Sequence, residues 1–337
     1  MVEVTLKSVR NFILDSVSIS FPSGRLSSIV GPNGAGKTTL LKVVAGLISY
    51  EGSVYFDGKC VDELPPYERG VSYVPQNNAL FTNMTVWDNI AFGLRVRGFD
   101  EGYVRERVEE LISMFRLESV ARRYPATLSG GEARKVALAR ALAVDPKVLL
   151  LDEPFTSLDV ETQAAVEQEV MMTVKKLGRT ILMVTHTIER AIANAEKLYI
   201  LWGGKLLFSG KPSDLSTESL PEDVRYWLGS IIEVDEVYHE RGLCYAEVNG
   251  FRIPVMCSRE LSKSRKVFIP TTSVKICKRG KLRGRVVSVR HSSTYFRACV
   301  SLGDAVVYVI TPIQLKPGEE VNLRIDKAVA IGDHSEQ

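Results

Sequence analysis

The sequence predicts an α/β domain with a parallel sheet, followed by a small all-β domain, on three observations. Strand-like apolar runs alternate with helical periods through residues 1–225, the order that builds a parallel sheet. A glycine-rich turn at residues 31–38 sits between a strand and a helix of that series. From residue 231 to 337 no long helical period recurs, and short alternating runs are separated by turn residues, as in a small barrel or sandwich.

The strands of the first part are expected at residues 2–9, 17–21, 26–30, 52–56, 71–74, 148–151, 180–184 and 197–201. Each is a short run of apolar or alternating residues. Helical periods lie at 38–45, stopped by Gly46, and at 86–94, 101–115, 132–143, 160–177 and 188–195. The stretch 84–145 is thereby mostly helical, a subdomain within the larger unit. A linker rich in Ser, Pro, Asp and Glu at 211–223 leads to the second domain, whose β-like runs fall at 246–248, 266–269, 285–290, 296–301, 305–310 and 321–325.

Composition narrows the class. The 337 residues are 45% hydrophobic and 25% charged, and 43 basic side chains nearly balance 40 acidic ones, for a net charge of +3. Such a balance gives no bulk attraction for nucleic acid. No apolar run reaches the roughly 18 residues a membrane-crossing helix requires, and no signal-peptide pattern opens the chain, so a protein soluble by itself is expected, for which any membrane role comes through a partner. The five cysteines are scattered with no CxxC spacing; buried free thiols in a reducing cytoplasm are expected, and a zinc site is not.

Chemistry enters at Gly31, Pro32, Asn33, Gly34, Ala35, Gly36, Lys37 and Thr38, which fit GxxxxGK[ST] between a strand and a helix and run on into Thr39. The glycines let backbone N–H groups point at phosphate oxygens, and the helix N-terminus adds its dipole. Lys37 is placed to reach the β- and γ-phosphates of a nucleotide, and the Thr38 hydroxyl to ligate Mg²⁺. The apolar run 148–151 ends in Asp152 and Glu153. A carboxylate delivered at a strand end is how phosphate-loop enzymes set an acid beside Mg²⁺, and the adjacent Glu153 is placed to activate water.

Leu128-Ser129-Gly130-Gly131-Glu132, opening a helix about 20 residues before that acidic pair, resembles the signature of ABC ATPases. The resemblance spans about residues 1–225, and it is identified by the order and combination of motifs. It implies that Gln76 is the Q-loop glutamine, Asp159 belongs to the D-loop and His186 is the switch histidine. It further implies ATP as the nucleotide, and two copies paired head to tail so that Ser129, Gly130 and Gly131 of one cover the γ-phosphate bound by the other. Gln76 then meets Mg²⁺ and couples the site to integral membrane permease subunits, His186 contacts the γ-phosphate, and Asp159 links the two sites. Relatives stack an aromatic ring on adenine near the position of Val9; here Phe12 is the neighbouring aromatic. Independently of the resemblance, Ser129 and Glu132 have the spacing of a helix capping box.

Residues 64–69 and 77–93 resemble the importer branch that serves an extracytoplasmic substrate-binding protein, and the second domain resembles the oligomer-binding-fold (TOBE) regulatory domain of importer ATPases. Leu80, Phe81, Met84 and Val86 form an apolar cluster, a candidate groove for the permease. The opening at residues 11–15 and the single short tail are nearest the molybdate/tungstate group, with sugar, sulfate, iron and polyamine importers as alternatives. The basic run Lys275, Lys278, Arg279, Lys281, Arg283, Arg285 is a candidate site for a regulatory oxyanion or a solvated loop. A non-transport ABC ATPase acting on DNA or the ribosome is the reading from another class, which usually carries a coiled-coil insertion or a second cassette that this sequence lacks. The resemblance places the protein on the cytoplasmic face of the membrane.

Overall fold

The computed structural model describes residues 2–155, 170–173, 178–217, 219–240, 243–248, 250–256, 265–277, 280–292 and 295–331. The chain divides into two compact units: residues 1–186 with 199–209, and residues 187–198 with 210–337. Asp159 and most of the helical period at 160–177 lie outside the described residues.

The first unit holds two sheets. The antiparallel one has the order β2 (Val17–Phe21), β1 (Val4–Arg10), β4 (Glu51–Phe56), β5 (Lys59–Cys60). The larger one runs β10 (Lys205–Gly210), β9 (Lys197–Trp202), β3 (Leu26–Val30), β8 (Thr180–Thr185), β7 (Val148–Asp152), β6 (Val71–Val74). Its β3–β8, β8–β7 and β7–β6 pairs are parallel. Strands β3, β7 and β8 are buried at every residue, as expected for a parallel sheet covered on both faces. Parallel neighbours put the C-terminal ends of β3, β6, β7 and β8 along one edge, where open α/β sheets bind ligands.

Local chemistry fixes the helices. Helix α1 (Lys37–Ala45) stops at Gly46, whose φ of 74° is the left-handed turn that lets its N–H cap the carbonyls of Lys42 and Val43. The buried Arg69 donates to the Val43 and Val44 carbonyls at the same helix end, a cation at the negative pole of the dipole. In α2 (Val86–Val96) Thr85 accepts from the Asp88 N–H, and in α3 (Glu101–Phe115) Asp100 accepts from Gly102 and Tyr103. Helix α4 (Gly130–Ala143) carries the full capping box of Ser129 and Glu132. These three helices pack together through Val86, Ile90, Val104, Leu111, Val136 and Leu138, so Val86 belongs to the core and not to an exposed groove.

The second unit contains α5 (Ile188–Asn194) and α6 (Glu222–Leu228), and α6 begins in the last two residues of the stretch 211–223 read from composition as a linker and runs on past it. Its apolar Val224, Tyr226 and Leu228 are buried within this unit, so packing draws the helix to the β-rich side although its sequence is charged at the start. Six strands follow the order β11 (Gly229–Glu233), β15 (Lys266–Pro270), β21 (Ala328–Ile331), β14 (Phe251–Met256), β13 (Leu243–Val248), β12 (Val237–Glu240). Five more form an antiparallel, nearly closed sheet: β16 (Val274–Ile276), β20 (Glu320–Ile325), β17 (Leu282–Ser292), β18 (Tyr295–Leu302), β19 (Ala305–Thr311). This is the OB-like domain the sequence predicts.

The cysteines depart from expectation. Cys60 is exposed, Cys277 and Cys299 are half-buried free thiols, and Cys244 is held in a disulfide.

Candidate nucleotide site

Four adjacent strand ends build a cavity of about 360 Å³ lined by Ile13, Asn33, Gly34, Gly36, Lys37, Thr38, Thr39, Gln76, Glu153 and His186. The phosphate loop leaves β3 and turns into α1; Glu153 follows β7, His186 follows β8, and Gln76 follows β6. All of these belong to the first unit.

Two glycines of the loop have no substitute. A Cβ on Gly31 would stand 2.1 Å from the carbonyl oxygen of Leu201 on β9, and Gly36 caps α1 at φ 99°, a conformation that other residues adopt only under strain. Lys37 is 7% exposed. Its Nζ donates to the carbonyls of Gly31 at 2.8 Å and Pro32 at 3.0 Å, and lies 4.0 Å from a Glu153 oxygen. Burial pushes its pKa down, opposed by Glu153 and Asp152.

Asp152 is 4% exposed and held at both oxygens. The Thr38 hydroxyl donates to Oδ1 at 2.9 Å and the Tyr73 phenol to Oδ2 at 2.7 Å. The pKa of Tyr73 is raised, by burial first and then by its bond to Asp152. Tyr73 went unnoticed in the sequence, where it reads as one more aromatic in a strand; only the β6–β7 pairing brings it to Asp152. Glu153 sits at φ 46°, and its Oε2 is 2.8 Å from Nδ1 of His186. A left-handed conformation in a non-glycine residue is held at a cost and is common at functional sites.

A hydroxyl and a carboxylate facing each other at a phosphate loop form a hard-oxygen donor set, which suits Mg²⁺: that ion takes one or two carboxylates plus substrate phosphates in place of an all-protein cage. Thr38 and Asp152 fit; Gln76 lines the same cavity.

Ser129, Gly130 and Gly131 are not among the cavity-lining residues, and Ser129 and Gly130 are exposed. Ser129 Oγ accepts from the Glu132 N–H at 3.2 Å, and a Glu132 oxygen accepts from the Ser129 N–H at 2.7 Å. On the opposite side, Asn11 Oδ1 accepts from the N–H groups of Ile13 and Leu14 at 2.9 and 2.8 Å. This turn presents Phe12 at 82% exposure while Val9 is fully buried. Of the basic run in the second unit, Lys275 pairs with Asp326, and Lys281, Arg283 and Arg285 are exposed. Lys278 and Arg279 lie outside the described residues.

The ABC transporter family pattern matches residues 14–156. The molybdate/tungstate import ATP-binding protein WtpC of Thermococcus kodakarensis is 43% identical over 230 residues, covering 68% of this chain and 70% of that protein. WtpC of Pyrococcus abyssi is 35% identical over 308 residues, covering 90% and 89%. Among solved structures, a dimeric ATP-binding cassette bound to ADP and Pi in a post-hydrolysis state superposes with a TM-score of 0.55 at 29% identity, covering 62% of this chain and 98% of that one.

Proposed function

The chain belongs to the ABC transporter family, and from that premise we infer that it is the ATP-hydrolysing subunit of an importer for molybdate or tungstate. The observation that carries the ATPase is the convergence of Lys37, Thr38, Asp152, Glu153, His186 and Gln76 at the edge of one parallel sheet. Relatives bearing the molybdate/tungstate name and spanning nearly the whole chain support the cargo.

In this reading the loop amides and Lys37 bind the phosphates, and Thr38 with Asp152 holds Mg²⁺. The ion, when bound, neutralises charge on the β- and γ-phosphates. Glu153 accepts a proton from the attacking water as its oxygen bonds to the γ-phosphorus. The bond from that phosphorus to the bridging oxygen breaks, and ADP and phosphate leave. His186 orients the Glu153 carboxylate through its 2.8 Å contact and faces the γ-phosphate position. Phe12 offers its ring to adenine, and Asp159 joins the two sites.

One chain supplies only part of this arrangement. Ser129, Gly130 and Gly131 lie outside their own cavity, on an exposed helix start whose N–H groups suit an anion. They cover the γ-phosphate held by a second copy. Permease subunits dock on the helical part of the first unit, around Phe81 and Met84, and a substrate-binding protein delivers the cargo outside. No described helix is long and apolar enough to cross a membrane; as the ATP-hydrolysing subunit of an importer, the chain works peripherally, at the cytoplasmic face. A regulatory oxyanion on the second unit would meet the exposed Lys281, Arg283 and Arg285 of the basic run.

Glu153→Gln tests the chemistry: turnover is expected to disappear while ATP binding persists, and normal hydrolysis by that variant would overturn the assignment. Uptake of labelled molybdate, tungstate and sulfate by vesicles carrying the chain with its co-purifying membrane protein tests the cargo. Recovery of the chain with ribosomes or DNA instead of a membrane protein would contradict transport.

A further inference from the structure

Between β6 and α2 the chain runs without regular structure from Pro75 to Thr85, and this segment carries Gln76. Its backbone is unusual: Asn78 and Ala79 both take left-handed conformations, at φ 61° and 46°. Two consecutive non-glycine residues do not hold that shape unless their surroundings impose it.

The restraint comes from α4, the helix whose first turn is the signature. Arg134 Nη1 donates to the Pro75 carbonyl at 3.0 Å and to Asn78 Oδ1 at 2.9 Å. One and a half turns further along, Arg140 donates to the carbonyls of Ala79 at 2.7 Å and Asn78 at 2.9 Å, and its guanidinium lies over the Phe81 ring. Four bonds from two side chains of one helix therefore bracket Gln76 and the strained pair after it. Asn89 of α2 secures the far end, bonding both backbone groups of Phe81.

Arg134 is costly where it stands. It is 2% exposed, and its Nε and Nη2 have no hydrogen-bond partner among the described residues. Burial pushes its pKa down to about 10, with only the charge of Asp152 opposing, so it is cationic at neutral pH. A buried guanidinium with two unmet donors is destabilising relative to an apolar side chain of similar volume. Stability does not explain it.

We infer that Arg134, assisted by Arg140, is a positioning residue for hydrolysis: it fixes Gln76 in the nucleotide cavity by tying the 75–79 segment to the signature helix. The same helix presents Ser129 and Gly131 outward, so a shift of α4 on meeting the second copy's nucleotide is passed directly to Gln76 of its own site. This rests on the assignment of Gln76 to the reacting end of the nucleotide.

The test is a double-mutant cycle on the full-length chain. Arg134→Met is expected to lower kcat by on the order of tenfold, the scale of a misplaced group, with KM for ATP little changed and Tm equal or higher. In a Gln76→Ala background it should lower kcat no further. Asn78→Gly, which removes the acceptor and keeps the left-handed backbone, should give a smaller loss that Gln76→Ala likewise absorbs. An unchanged kcat in Arg134→Met, or losses that multiply with Gln76→Ala, would overturn the inference. If Gln76→Ala itself leaves kcat untouched, the assignment of Gln76 fails instead. Should Arg134→Met not fold, the Asn78→Gly cycle decides alone.

Discussion

The two units treat charge in opposite ways. In the first, Lys37, Asp152 and Arg134 are each less than a tenth exposed: Lys37 lines the cavity with Glu153 and Gln76, Asp152 bonds Thr38 of its lining, and Arg134 holds the segment that carries Gln76. In the second, Lys281, Arg283 and Arg285 point outward, the latter two along alternate positions of β17, and Lys275 is engaged by Asp326. Burying charge costs several kcal/mol per ion unless partners repay it, so a buried polar constellation marks chemistry. An outward basic row is consistent with solubility alone. The lesson is that the number of charges in a stretch says little; where the fold sends them says much.

The sharpest way to break this comparison lies at Asp152. Tyr73→Phe removes the donor to Oδ2 and leaves the Thr38 bond in place. Because partners of metal-binding carboxylates tune affinity by about 10- to 100-fold, the variant should need roughly tenfold more Mg²⁺ for half-maximal ATPase and bind Mn²⁺ correspondingly less tightly by paramagnetic resonance. An unchanged metal dependence would mean that the buried phenol only fills space.

A middling effect is expected at the start of α4. The Glu132 carboxyl is held below the usual carboxylate range, chiefly by the Ser129 N–H. A carboxylate with a depressed folded-state pKa stabilises the protein above its unfolded pKa and loses that contribution as pH falls through the folded value. As pH falls through and below the usual carboxylate range, the wild type should therefore lose Tm by a few degrees more than Glu132→Gln, which keeps an uncharged acceptor. Equal losses would show that the capping box carries no charge-dependent stability.

The smallest effect belongs to the second unit. Replacing Lys281, Arg283 and Arg285 together by Ala should change stability by no more than about 0.5 kcal/mol per site and leave ATP turnover unaltered, as read by denaturant unfolding and steady-state hydrolysis. A large change in turnover would give the basic face a role and erase the contrast.

Much of the first unit was legible because its motifs are local. GxxxxGK[ST], the acid pair after an apolar strand and LSGGE each state a role within a few residues, and strands 17–21, 26–30, 71–74 fall where periodicity puts them. What escaped was made by pairing across distance. Tyr73 meets Asp152 only because β6 lies beside β7, and Arg134 meets Pro75 only because α4 packs over the segment. In the second unit alternation announced β-structure but not register, so the bulge that leaves Val287 outward between Val286 and Ser288 and the disulfide at Cys244 had no signal in the sequence. Helix α6 was hidden for another reason: it opens after Pro221 at the acidic end of the Ser-, Pro-, Asp- and Glu-rich stretch 211–223, whose composition reads as a linker.

The central claim is that each nucleotide site joins the phosphate loop of one copy to the signature of another. It is tested most directly by co-expressing Lys37→Ala with Ser129→Arg and measuring ATP hydrolysis of the purified mixture. Each variant alone has no intact pair, whereas the mixed dimer contains one. The account predicts that both single variants are inactive and that the mixture hydrolyses ATP. A mixture as inactive as its parts, or a Ser129→Arg variant that hydrolyses ATP by itself, would contradict it.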